Sequence, residues 1–204
     1  MRKLVLSVLA SLPLAALVLA APTVSSAASM IREPTPPQYK VEIEPHLVAQ
    51  VGGFGFDYGT NGFGAGIRFG IPIAGPAFVK TINDSIAISF GPDLVHYSPY
   101  RVGCQGQGCA FYYDTGDFWA LYVPVTMQWN FWLSEKWSVF GEPGLAVRHS
   151  FINNACDDRF GNCRGVTHVF GAFFGGARYH FSETTALTLR VGYPTGFSVG
   201  LSFF

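Results

Sequence analysis

The chain has 204 residues with a formal net charge of zero, of which only 13% are charged while 16% are aromatic and 24 residues are glycine. An ordinary soluble domain carries about 25% charged residues, so a water-facing surface is poorly supplied here, and without a basic excess there is no electrostatic case for nucleic acid. Beyond the N-terminal run no stretch offers about eighteen uninterrupted apolar residues, which excludes a helical span and leaves a closed β-barrel as the way to cross a bilayer.

Arg2 and Lys3 precede an apolar run from Leu4 to Ala21, followed by small residues at Ser26-Ala27-Ala28. This is the pattern of a secretory signal peptide over residues 1–28; the alternative, an uncleaved anchor, is disfavoured by Pro13 within the run and by the cleavage-like site. No cysteine stands at that site, so a lipid-anchored lipoprotein is not expected. Residues 29–39 contain Pro34, Pro36 and Pro37 and read as an extended, proline-rich lead-in, either plugging the domain beyond it or hanging beneath that domain.

From residue 40 to residue 204 the hydrophobic period is two, as in strands with one apolar face. Turn chemistry divides this domain into eight predicted strands: Lys40 to Phe56, Gly62 to Ile73, Ser85 to Tyr97, Asp117 to Leu133, Trp137 to Ser150, Val166 to Phe181, Thr185 to Tyr193 and Gly196 to Phe204. The fourth shows the pattern best. Trp119, Leu121, Val123, Val125, Met127, Trp129, Phe131 and Leu133 share one face, and Ala120, Tyr122, Thr126, Gln128 and Asn130 the other. In a soluble sandwich the polar face would be rich in Lys and Glu. Glycine, serine, glutamine and a few arginines suit a narrow barrel lumen instead.

The glycines of Gly62, Gly64 and Gly66 continue into strand sequence and so do not make a phosphate loop; they are expected to let bulky lumen groups approach. Pro45, Pro92, Pro124 and Pro143 each fall within a predicted strand, where a missing N–H predicts a bulge or an end. Trp129, Trp132 and Trp137 flank the Ser134-Glu135-Lys136 turn, and Tyr179 and Phe181 precede Ser182-Glu183-Thr184, as an interfacial aromatic belt would. Ordinary core filling is the alternative.

The signal-like N-terminus, eight alternating segments and an aromatic last residue together resemble the small eight-stranded outer-membrane barrels of Gram-negative bacteria, the superfamily of outer-membrane proteins A, X and W. The resemblance covers nearly all of the chain after residue 28. It implies an all-β, eight-stranded antiparallel up-and-down transmembrane β-barrel in the outer membrane. It also implies contact with membrane lipid and lipopolysaccharide, and delivery by the barrel-insertion machinery through a C-terminal signal matched here by Gly200, Phe203 and Phe204. The adjacency of the last two aromatics departs from the usual alternation.

With both termini periplasmic, Ala74 to Asp84, Ser134 to Lys136 and Ser182 to Thr184 become inner turns. Asp57 to Asn61, Ser98 to Gly116, Phe151 to Gly165 and Pro194-Thr195 lie outside, which puts the two longest loops on one side. All four cysteines sit in those loops. Cys104 with Cys109 and Cys156 with Cys163 are expected to close a small disulfide ring each, with cross-loop pairing as the alternative. A zinc site is disfavoured, because neither loop carries a histidine.

Inward parity collects Glu42, Glu44, His46, Gln50, Arg68, Ser89, Asp93, Gln128, Glu142, Arg148, His168, Arg178, His180 and Arg190. The charges among them predict an ion-pair network of Glu42, Glu44, Asp93 and Glu142 with Arg68, Arg148, Arg178 and Arg190, in which Glu142 and Glu44 bridge to Arg148, Arg178 or Arg190. A side-chain-filled lumen is the primary reading and a gated proton or ion path the alternative. Phe170 and Phe174 also point inward; the alternative reading, which resembles the outer-membrane protein W type that passes or binds small hydrophobic molecules, would have them line an apolar pocket. Enzymatic readings are weaker. His149 and Ser150 lie on opposite faces of a strand, while His180 with Ser182 and Glu183 resembles the His-x-Ser of lipid A deacylases but falls at the inner end. The primary expectation is therefore a monomeric, non-enzymatic barrel without cofactor or metal, serving a structural or interaction role toward an unidentified loop partner.

Overall fold

The computed structural model describes residues 38–51, 61–75, 78, 81–98, 100–102, 113–115, 117–151 and 166–204. The described residues form eleven strands: β1 (Glu42–Gln50), β2 (Gly62–Ala74), β3 (Asp84–Phe90), β4 (Asp93–Tyr97), β5 (Tyr100–Val102), β6 (Tyr113–Thr115), β7 (Phe118–Trp132), β8 (Trp137–Phe151), β9 (Val166–Ser182), β10 (Thr185–Tyr193) and β11 (Gly196–Phe203). β3 and β4 both pair with β2 on one side and β7 on the other, so together they make a single stave of the wall. The first strand pairs with the last, Leu47 opposite Val199, and the sheet is a closed eight-stranded antiparallel barrel. Closure leaves the main sheet without an edge.

The alternation read from the sequence has the inverted sense. Leu47, Phe63, Val169 and Phe173 are each more than three-fifths exposed on the outer face, whereas Glu44, Glu142, Arg178 and Arg190 are 2% exposed or less on the inner one. Because successive strand residues point to opposite faces, this polarity is set strand by strand and fixes the register around the barrel.

Of the four strand prolines only Pro92 ends a strand. It separates β3 from β4, and its carbonyl still accepts from the Ile67 N–H at 3.1 Å, so the wall stays continuous across the break. Pro45 and Pro124 lie in register opposite Ile67 and Ala146. Between β7 and β8 the ladder passes from the Thr126–Gly144 pair to the Trp129–Gly141 pair, opening opposite Pro143, which has no N–H to give. Register shifts at Pro72/Ala74 and Thr185/Ala186 mark bulges at the short-turn end. Gly196 takes a φ of 75° in the Pro194-Thr195 turn, a conformation that favours glycine.

Two features were not anticipated. The connection after β4 carries a small second sheet, the β5–β6 hairpin, inside the predicted Ser98 to Gly116 loop. At the opposite end the β2–β3 connection folds over the outer wall. Asp84, on the outward face, is buried there and accepts from the Trp129 indole N–H (2.9 Å) and the Phe78 amide (3.3 Å), while the Phe78 ring meets Trp129 at 5.3 Å. A carboxylate on an apolar wall is tolerable only under such cover. The Asp57 to Asn61 turn lies outside the described residues except for its last member, and so do residues 1–37.

Candidate functional site: the lumen and its two mouths

The lumen is filled in three tiers, each built by inward residues of several strands. In the middle tier, β1 supplies Glu42, Glu44 and His46, β2 Arg68, β4 Asp93, β7 Gln128 and Asn130, β8 Glu142, β9 Arg178 and β10 Arg190. Arg190 donates to both oxygens of Glu44, at 2.6 and 2.9 Å, and to Glu142 at 3.2 Å. Gln128 donates to the same Glu142 oxygen at 2.6 Å. Arg178 reaches Glu42 at 2.9 Å and Asn130 at 2.7 Å, and Ser202 also donates to Glu42. Arg68 donates to Asp93 at 2.8 Å. His46 sits between the Glu44 carbonyl (3.1 Å) and the Asp93 carboxylate (2.9 Å), acceptors both. Charges this deeply buried are tolerable only when paired and hydrogen-bonded, which is what the forked arginines achieve.

Arginine planes also stack. Phe140 lies between two of them, its ring centre 4.3 Å from the Arg178 guanidinium carbon and 5.2 Å from that of Arg190. Gly176 opposite has no side chain because a Cβ there would stand 2.3 Å from the Phe140 ring. Gly66 has the same reason: a Cβ would come within 2.3 Å of the Asp93 carboxylate and 2.7 Å of the His46 ring.

Toward the long-loop end the lumen changes character. Tyr97 donates to Gln50 and shares a 2.6 Å hydroxyl contact with Tyr122; Val48, Val95 and Ala120 pack around them, with Phe118 and Phe170 against the cluster. Phe174 and Phe170 both point inward as parity required, where they pack with Ala146 and Ala172. At the short-turn end, Tyr39 and Phe204 meet edge to face at 5.0 Å, and His180 is layered between Phe204 (5.5 Å) and Trp132 (5.0 Å). Burial, with the nearby Glu42 adding to it, pushes the Tyr39 phenol up to about 12, so it remains a neutral donor.

Of the three arginines expected to bridge Glu44 and Glu142, Arg190 does so, and Arg178 turns to Glu42. Other expectations need correction. Arg148 is only part-buried near the outer mouth, where it donates to Ser150 at 2.8 Å and lies over Tyr122 at 5.9 Å. His168 pairs across from Arg148 and is exposed, because β9 has by then risen to the rim, where inward parity no longer means enclosure. Trp132 is no part of an outer belt: it is 3% exposed and faces the lumen. Trp137 and Tyr179 do pack together on the outer face at 5.1 Å.

For the enzyme reading, His180 bonds Ser138 inside the barrel at 3.0 Å, while Ser182 is exposed and bonds Thr184. His149 contacts Thr167 at 2.8 Å on the outside, and Ser150 faces inward. Gly200 packs against His46, Phe203 faces outward, and Phe204 closes the short-turn mouth. Cys104, Cys109, Cys156 and Cys163 lie outside the described residues.

No family model matches the chain, and no curated protein matches it. Among solved structures it is similar to Ail, the attachment invasion locus protein of Yersinia pestis, in complex with the heparin analogue sucrose octasulfate: 13% identity, TM-score 0.46, over 80% of this chain and 95% of that one. A second crystal structure of Ail gives 13% identity and a TM-score of 0.44 over the same shares. The backbone structure of the Yersinia pestis outer membrane protein Ail in a phospholipid bilayer nanodisc gives 16% and 0.41, over 81% of this chain and 99% of that one.

Proposed function

We propose that the chain is an integral outer-membrane barrel whose work is interaction: a rigid wall that presents two long loops and the β5–β6 hairpin to the exterior. One observation carries this reading, namely that the barrel is apolar outside and ionic inside. In water that arrangement would expose Leu47, Phe63, Val169 and Phe173 to solvent while burying a carboxylate–guanidinium network, the reverse of what water favours. In lipid both choices are sensible.

The termini and short turns then face the periplasm. The exterior loops carry Cys104 with Cys109 and Cys156 with Cys163, whose expected rings would set loop shape in an oxidising compartment. Phe203 and Phe204 with Gly200 remain the proposed insertion signal, and lipid and lipopolysaccharide the immediate surroundings of a monomeric wall. The paired middle tier and the Tyr97–Tyr122–Gln50 cluster support a filled lumen over a diffusion pore. The same cluster occupies the place where a passage for hydrophobic molecules would need an opening. The enzymatic reading is not favoured, since His180 bonds Ser138 while Ser182 bonds Thr184.

The test is migration of the membrane fraction on a denaturing gel with and without boiling. A folded barrel resists detergent at room temperature and shifts on heating; a chain recovered in the soluble fraction without detergent overturns the reading. Planar-bilayer recordings, in which no steady conductance is expected, test the filled lumen.

A further inference from the structure

His46 stands where the closing seam meets the middle tier of the lumen. It pairs with Gly200 of β11 across the seam and with Gly66 of β2 on its other side. A Cβ at Gly200 would lie 2.6 Å from the His46 Cβ, and one at Gly66 2.7 Å from its Nε2, so both neighbouring strands are bare where the ring passes. Over Gly66 the imidazole reaches Asp93 of β4, a strand that does not adjoin β1.

The partners of this ring decide its charge. Nδ1 lies 3.1 Å from the Glu44 carbonyl and Nε2 2.9 Å from the Asp93 carboxylate. A carbonyl only accepts, and so does an ionised carboxylate, whose second oxygen here takes the Arg68 guanidinium at 2.8 Å. Both ring nitrogens must then donate, which only the imidazolium can do. A count of charge reaches the same state independently. Among the described residues the buried carboxylates of the lumen are Glu42, Glu44, Asp93 and Glu142, against the guanidiniums of Arg68, Arg178 and Arg190. One positive charge is missing, and an unbalanced charge at this depth is costly. His180, also buried, meets the Ser138 hydroxyl, which can donate to it and so makes no such demand.

Arginine does not lose its charge in a protein, so His46 is the one cation of the tier that a change of pH can discharge. The charged groups around it are Glu44 on its own strand, with Oε1 3.8 Å from Nδ1, Asp93 on β4 and Arg68 on β2. Arg190 of β10 and Glu142 of β8 stand one bond further off, and β11 has no ionisable residue. Discharge would set Nε2 against the Asp93 Oδ1, lone pair to lone pair across 2.9 Å, and leave the tier with a net negative charge. Because the imidazole is 1% exposed, its proton leaves only when the tier loosens.

We propose that His46 is a buried imidazolium, the fourth cation of the lumen, and that it serves as a proton-operated latch holding β1 to β4 over Gly66. The latch belongs to the lumen and stands apart from whatever the outer loops recognise.

The test uses the full chain folded in phospholipid nanodiscs, with histidine labelled by nitrogen-15 at both ring positions. The chain has five histidines, and His46→Gln identifies one set of signals; if that variant does not fold, single replacements of His96, His149, His168 and His180 assign it by elimination. At about pH 7, where an unperturbed imidazole is mostly neutral, both His46 nitrogens are expected to carry hydrogen. A bare ring nitrogen would overturn the imidazolium. Asp93→Asn removes the charge that the imidazolium answers and should return His46 to the form with one bare nitrogen; two retained protons in that variant would overturn the charge balance, and if it does not fold the parent spectrum decides. As pH is raised, the appearance of a bare His46 nitrogen should coincide with exchange of the β4 amides at least about tenfold faster relative to those of β10. An unchanged ratio, or two protons kept up to about pH 10, would overturn the latch.

Discussion

The Arg190 guanidinium holds Glu44 in a two-pronged grip, Nη1 2.6 Å from one oxygen and Nη2 2.9 Å from the other, while Nη2 also serves Glu142 on the far side. These residues come from β10, β1 and β8, so one cation ties three separated parts of the wall. Arg190→Met keeps the bulk but strands two buried carboxylates. A loss of about 3–5 kcal/mol is expected, measured by urea unfolding in lipid vesicles. A loss below about 1 kcal/mol would mean that the network contributes little.

Gly66→Ala should be costly for a reason unrelated to backbone freedom. The added methyl would push on the Asp93 carboxylate and the His46 ring, for a cost of about 1–3 kcal/mol. Combining it with His46→Ala should cost less than the two changes summed, since the second creates the room that the first needs. Strict additivity in the same unfolding assay would refute this coupling.

Depth along the outer wall should grade the cost of a charge. Leu145 stands near the middle of β8 and is 59% exposed, whereas His149 stands four residues nearer the rim. Leu145→Arg is expected to cost about 2–4 kcal/mol in a bilayer and His149→Arg about 0–1 kcal/mol. Equal penalties would contradict the placement of β8 across the hydrocarbon.

Alkali should weaken the fold through Tyr39. The unfolded chain releases that phenolic proton near 10, but the folded chain holds it to about 12, so the unfolded state binds fewer protons across the interval and stability falls as pH rises through it. Tyr39→Phe removes this contribution. The loss of stability between pH 9 and 11.5 should be smaller in the variant than in the parent, and identical losses would show that Tyr39 is not so held.

The barrel was legible because its period is two and its polarity is inverted. Parity alone placed Glu42, Glu44, Arg68, Asp93, Glu142, Arg178 and Arg190 inside and left Leu187 and Val199 outside. Which arginine meets which carboxylate was not legible, since partners lie as far apart in sequence as Glu44 and Arg190 and depend on stagger around the wall. Trp132 was misplaced for a simpler reason. Proximity to a turn suggested a belt, although its even number on β7 already put it on the lumen face with Gln128 and Asn130. His168 shows the converse failure, where parity was read correctly past the height at which the barrel encloses anything. The Phe78 and Trp129 cover over Asp84 depends on a turn folding back, for which a periodic pattern carries no signal.

The seam between β1 and β11 has a temporal consequence. Among the described strands β1 comes first in the chain, yet it finds one of its two neighbours only once β11 has been made. Until then the sheet keeps two raw margins, each a template for pairing with another chain.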